Sequence, residues 1–122
     1  MRNLLVAVAL STLLAACGSP QAGDECKENS ATCNTDATAL FCEAGTYREI
    51  ACRAASGCIE DDSNVICAIQ ARANDACLAR QEGQAQCDAA NPNNAFVCTR
   101  GRWTATDCDE CAVQIGKVVC MR

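Results

Sequence analysis

The chain of 122 residues contains no histidine. That absence removes the commonest general base, every Ser–His or Cys–His nucleophilic pair and zinc sites of mixed Cys/His ligation. Aromatic residues are nearly as scarce: Phe41, Tyr47, Phe96 and Trp103 are the whole set. Large aliphatic side chains are few beyond residue 16. The hydrophobic fraction of 50% rests mainly on Ala and on 13 Cys. A chain of roughly 100 residues with so little bulk cannot build the core that a domain of this size normally uses. Positive charge is also short. Without residues 1–16, nine basic residues face fifteen acidic ones, a formal charge of −6. That balance argues against nucleic acid as a partner, since binding there depends on neutralising phosphates. It argues equally against general electrostatic adhesion to anionic lipid.

No apolar run is long enough to span a bilayer. The longest, Leu4 to Leu14, covers about eleven residues where roughly 20 are needed. It follows the cationic Arg2 and precedes the small residues Ala15 and Ala16. This is the three-part layout of a secretory signal. Leu14-Ala15-Ala16-Cys17 resembles the lipobox of bacterial lipoproteins. The resemblance implies cleavage before Cys17 and acylation of that cysteine. Gly18 follows it in place of Asp, which in the sorting rule of such proteins implies the outer membrane. Two or more acyl chains hold a protein firmly on a bilayer, whereas one does so only marginally.

What the chain does have is cysteine. Apart from Cys17 there are twelve, an even number, at a density expected of a disulfide scaffold in an oxidising compartment. They fall into two sets of six. The first is Cys26, Cys33, Cys42, Cys52, Cys58 and Cys67; the second is Cys77, Cys87, Cys98, Cys108, Cys111 and Cys120. The third and fifth gaps match between the sets. Neighbouring residues match too: Gly23-Asp24-Glu25-Cys26 with Asn74-Asp75-Ala76-Cys77, Cys42 to Tyr47 with Cys98 to Trp103, and Val65-Ile66-Cys67 with Val118-Val119-Cys120. Self-similarity of this kind marks a duplicated unit. The expected architecture is small, disulfide-rich and mostly β, with two tandem six-cysteine modules and short hairpins. It divides into a signal peptide (1–16), a lipidated cysteine and tether (17–25), module 1 (26–67), a linker (68–76) and module 2 (77–122). The linker is not rich in Gly or Pro, so the modules should touch. The tether places module 1 within about 30 Å of the membrane, at roughly 3.3–3.6 Å per residue.

The third gap reads as a hairpin with a three-residue turn, Glu43-Ala44-Gly45 or Thr99-Arg100-Gly101, with Gly left-handed. Phe41 would then face Tyr47, and Val97 would face Trp103. The fifth gap suggests a second hairpin, turning near Ser63-Asn64 and near Gly116-Lys117. A short helix is predicted over 75–82, stopped by Gly83, and a turn at Asn91-Pro92-Asn93-Asn94. Each module allows fifteen disulfide pairings. The preferred bridges are Cys58–Cys67 and Cys111–Cys120, across the second hairpins.

The order Gly-Asp-x-Cys, then apolar-x-Cys-x-x-Gly-x-aromatic, then two closing cysteines resembles tandem cysteine-rich repeats in small lipoproteins of myxobacteria and related deltaproteobacteria. Asn74 departs from that pattern, where Gly is expected. The resemblance implies location and architecture and carries no activity.

The candidate chemical groups are few. Glu60-Asp61-Asp62 and Asp107-Asp109-Glu110 could work as carboxylates in hydrolysis or bind calcium adventitiously, but both read as solvated loops. Cys108-Asp109-Glu110-Cys111 is a CxxC sequence, which can signal redox exchange or zinc; its flanking carboxylates disfavour the thiolate, and structural disulfides are expected. Tyr47 and Trp103 occupy matching positions and are the possible binding residues, by stacking on a sugar or anchoring a partner; otherwise each caps a small core. No catalytic residue, metal or cofactor is expected. The functional expectation is a non-enzymatic, lipid-anchored envelope or surface protein, with a protein or glycan partner or a structural role. The alternative is an inhibitor of secreted proteases acting through the loop between Cys87 and Cys98.

Overall fold

A computed structural model describes residues 18–62 and 64–121. The expected signal peptide (1–16) and the expected lipidation site, Cys17, lie outside the described residues. Module 1 opens with a three-stranded antiparallel sheet, β1 (Ala31–Thr35), β2 (Thr38–Glu43) and β3 (Thr46–Ala51), in that spatial order. A two-stranded hairpin follows, β4 (Cys58–Asp61) with β5 (Asn64–Cys67). Module 2 repeats the plan. After a 3-10 turn at Ala79–Gln81 come β6 (Ala85–Cys87), β7 (Asn94–Thr99) and β8 (Arg102–Asp107), then the hairpin of β9 (Glu110–Gln114) and β10 (Lys117–Met121). The architecture is small, disulfide-rich and mostly β.

The duplication extends to individual hydrogen bonds. Cys26 N donates to Gly45 O as Cys77 N donates to Gly101 O, both at 3.0 Å. Tyr47 N donates to Asp24 O and Trp103 N to Asp75 O, both at 2.9 Å. Cys58 N reaches Asp36 O at 2.8 Å, and Cys111 N reaches Pro92 O at 2.9 Å. Asn74 sits at φ +70 where Gly23 sits at +91. Asn is among the residues that tolerate this left-handed region, so its departure from Gly costs little.

The disulfides follow one scheme in both modules. The pairs are Cys26–Cys42, Cys33–Cys58 and Cys52–Cys67, then Cys77–Cys98, Cys87–Cys111 and Cys108–Cys120. The expected bridges across the second hairpins are therefore wrong. Cys58 and Cys67 are register partners, as are Cys111 and Cys120. Side chains directly opposite share one face of a hairpin, and here both sulfurs on that face turn to the neighbouring sheet. One bonds its edge strand (Cys33 or Cys87), and the other bonds the end of the third strand (Cys52 or Cys108). The hairpin is stapled flat by two bridges instead of being closed by one.

The first hairpins also differ from expectation by one residue. Their loops contain two residues: Ala44 and Gly45 at φ +51 and +81, Arg100 and Gly101 at +53 and +77. Two consecutive positive φ values define the turn whose twist matches the flanking strands. Tyr47 consequently opposes Cys42 and Trp103 opposes Cys98, while Phe41 faces Arg48 and Val97 faces Thr104. The predicted helix over 75–82 is confined to the 3-10 turn, because Ala76 bridges Arg102 and extends the sheet.

Residues 21–25 belong to module 1. Gly23 N donates to Tyr47 O at 2.8 Å, Glu25 bridges Thr46, and Asp24 caps Gln21 N at 2.9 Å. Only residues 18–20 lie between Cys17 and the folded chain. A tether of the expected kind would therefore span about 10 Å, at roughly 3.3–3.6 Å per residue, instead of about 30 Å.

Module 2 has the fuller core. Ala71, Cys77, Phe96, Cys98 and Trp103 form a buried cluster, with Ile69 packed against it. Ile69 and Ala71 come from the predicted linker. The positions equivalent to them in module 1 are Gly18 and Pro20, both exposed. The face of module 1 around Cys26 and Tyr47 stays partly open for want of that cover.

Candidate functional site

Trp103 is 1% exposed. Its indole fills the module 2 core and presents no platform to a sugar or partner, which corrects its reading as a binding residue. Tyr47, without the linker's cover, is half-buried. The two equivalent aromatics thus serve different ends, and neither forms the wall of a cleft.

The cysteines of the CxxC sequence do not bond each other. Cys108 pairs with Cys120 and Cys111 with Cys87, so the motif is a crossing point of two structural bridges. Asp107, Asp109 and Glu110 are exposed. Among the described residues, no group of three His, Cys, Asp or Glu could hold a metal ion.

Glu60 does have a defined structural role. It reaches back from β4 to the free edge of β1, where Thr32 Oγ1 donates to its carboxylate at 2.7 Å and Cys33 N at 2.5 Å. The hydroxyl bond, followed by the backbone bond, holds the Glu60 carboxyl below the usual carboxylate range. A depressed folded-state value means the contact contributes in full above the ordinary carboxyl range. It is lost as pH falls through the lowered value. The protection of the Cys33 amide, taken relative to its intrinsic exchange rate at each pH, should therefore fall in acid in the native protein. In Glu60→Gln that acid dependence should vanish. An identical pH profile in both would refute the role.

The loop between Cys87 and Cys98 is folded upon itself. Ala90 N donates to Asp88 Oδ1 at 2.8 Å, Asn93 N to Asn91 Oδ1 at 3.0 Å, and Cys111 N to Pro92 O at 2.9 Å. The Ala90 bond, followed by one from Asn94 Nδ2 at 3.2 Å, holds the Asp88 carboxyl below its ordinary range. The predicted turn at Asn91–Asn94 is present. The loop's extended residues, 94–97 of β7, are already paired between β6 and β8 at the centre of the sheet.

A concavity lies between the modules, and no sequence motif marked it. It measures about 600 Å³, within the range of small-ligand sites. Its floor and one wall come from module 1: Ala31, Phe41 and Glu43 on the sheet, and Val65 on the hairpin. The opposite wall is the 3-10 turn of module 2, with Leu78 and Arg80. The Arg80 guanidinium lies 5.3 Å from the centre of the Phe41 ring, a distance at which the ring's face attracts a cation.

Polar contacts fix the two walls relative to each other. Ala79 N donates to the Glu43 carboxylate at 2.6 Å, and Glu43 also lies 3.6 Å from Arg48. Arg48 crosses to Gly101 O at 2.5 Å. The Arg53 fork grips both oxygens of Asp75 at 2.7 and 2.8 Å. That hydrogen bonding, with the carboxylate charge, raises the guanidinium's affinity for its proton. Two-pronged contacts of this kind add geometric specificity. The groove is accordingly a set feature of the tandem.

The chain matches no protein-family model, no curated protein and no solved structure. Function must be read from this groove and these surfaces.

The groove combines an aromatic face, a cation, small apolar patches and two carboxylates, Glu28 and Glu43, of which Glu43 already serves the contact between modules. Such a lining suits recognition of a partly polar surface.

Proposed function

We propose that the mature chain is a lipid-anchored, non-catalytic protein of the bacterial envelope that binds a protein or glycan in the groove between its two modules. The observation that carries this reading is the groove itself, walled by Phe41 and Arg80 and held rigid by the Arg53–Asp75 and Glu43–Ala79 contacts. The lipobox-like Leu14-Ala15-Ala16-Cys17 supports attachment to a membrane, with the outer membrane as the expected destination. Resemblance to tandem cysteine-rich lipoproteins supports the same location. A scaffold of six bridges suits exposure outside the cytoplasm.

Crosslinking on intact cells, followed by mass spectrometry, tests the binding role. The native chain should recover a reproducible partner or envelope polymer, and Phe41→Ala should deplete it. Equal recovery by both, or none by either, would count against the groove. The mass of the N-terminal peptide tests the anchor separately: it should begin at an acylated Cys17.

A further inference from the structure

The two second hairpins are copies of one element, and they differ at their tips. Glu60 and Asp62 of the first align with Val113 and Ile115 of the second; Asn64 aligns with Lys117. In module 1, Glu60 seals the edge of β1. In module 2, Val113 is 66% exposed and Ile115 fully exposed. Ile115 also adopts φ +49, as Asp62 adopts +51. For Asp this conformation is tolerated; for a β-branched residue it is an outlier. Strain of this kind persists where the surroundings impose it and often marks a functional position. The fold does not require isoleucine here, because its own duplicate makes the same turn with aspartate.

We infer that the tip of the β9–β10 hairpin inserts into the lipid bilayer surface, as a second membrane contact beside the N-terminal anchor. The inference rests on the anchor reading above, which places the chain at a membrane. Three features favour lipid as the occupant. The tip, Gln114-Ile115-Gly116-Lys117, carries a cation and no acid in a mature chain of net −6, whereas the sibling tip carries Asp61 and Asp62. Lys117 next to exposed aliphatics matches an anionic headgroup layer over an apolar interior. A two-stranded tip is too small for a stable protein interface, which needs about 800 Å² from each partner. It is large enough to orient a molecule already tethered. Within that reading, the short tether and the hairpin tip would fix which face of the molecule meets the membrane.

The test couples the Cys17 thiol of the mature, oxidised chain to a maleimide lipid in vesicles of phosphatidylcholine and phosphatidylglycerol. The tether then exists whether or not cells acylate Cys17, so failure of the tip and failure of the anchor read out differently. Ile115→Trp should show a blue-shifted emission, above the Trp103 background, that brominated acyl chains quench. Asp62→Trp, at the sibling tip, should stay unshifted and unquenched. Adding Lys117→Glu to Ile115→Trp should reduce the quenching in anionic vesicles. Trp103 near-ultraviolet dichroism checks that each variant is folded. Quenching at Ile115→Trp no greater than at Asp62→Trp would overturn the proposal. So would dimerisation without lipid that Ile115→Asp abolishes, since a second copy of the chain would then be the occupant.

Discussion

Replacing Cys77 and Cys98 together by alanine should unfold module 2 and leave module 1 folded. Both residues are 0% exposed and lie at the centre of the buried cluster with Phe96 and Trp103. Loss of a native bridge in a small exported domain typically costs about 2–5 kcal/mol. The chain has little else to draw on, because its largest fully buried side chains are Trp103, Leu40 and Ile50, each contributing roughly 1.5–3 kcal/mol. Denaturant unfolding followed by Trp103 fluorescence should show module 2 open without denaturant, while amide exchange at Ile50 stays slow. Alanine at Cys108 and Cys120 should cost less. That bridge closes a separation of 12 residues instead of 21, and it secures a peripheral hairpin. A variant lacking Cys77 and Cys98 that keeps native stability would show that the fold does not depend on its bridges.

Dependence on cysteine was legible from composition. Twelve cysteines in two matching sets, with almost no bulky residues, leave a chain few ways to fold other than as paired disulfide modules. The duplication was legible because the spacing and the residues beside Cys42 and Cys98 repeat. Register was not. A three-residue turn is the natural reading of Glu43-Ala44-Gly45, since Ala44 has no intrinsic preference for positive φ. The sheet on either side imposes it, and Arg100 yields in the same way. The disulfide pairing was hidden for a related reason. Cys58 and Cys67 are close in sequence and directly opposed in the hairpin, yet their partners are decided by a sheet edge that forms from residues 31–35 and by the end of β3.

The groove was illegible for a different reason. Phe41 and Arg80 are 39 positions apart in different modules, and their meeting depends on how the two copies dock. That docking is carried by Arg48, Arg53, Glu43 and Asp75, which look like ordinary surface charges in the sequence. Glu60 shows the same gap between pattern and place. As one of three consecutive acids it suggests a solvated loop, and all three, Glu60 included, are exposed. Its alternation with Asp61 along β4 turns it alone toward β1.

Trp103→Ala and Tyr47→Ala should separate sharply, although the two residues occupy the same position of the same module. Trp103 is sealed by Ile69 and Ala71, and truncating a buried aromatic costs about 3–5 kcal/mol. Module 2 has no reserve of that size. Tyr47 is half-buried because Gly18 and Pro20 supply no comparable cover, so its loss should cost about 1–2 kcal/mol, the scale of partial apolar burial. Unfolding monitored at module-specific amides by exchange and denaturant titration would measure both. Comparable costs would mean that the linker does not distinguish the modules. A Trp103→Ala chain of native stability that fails to recover a partner would return the indole to a binding role. The difference expected here has one origin: duplication supplied two copies of the aromatic, and among the described residues only the second copy has an upstream segment with apolar side chains to close over it.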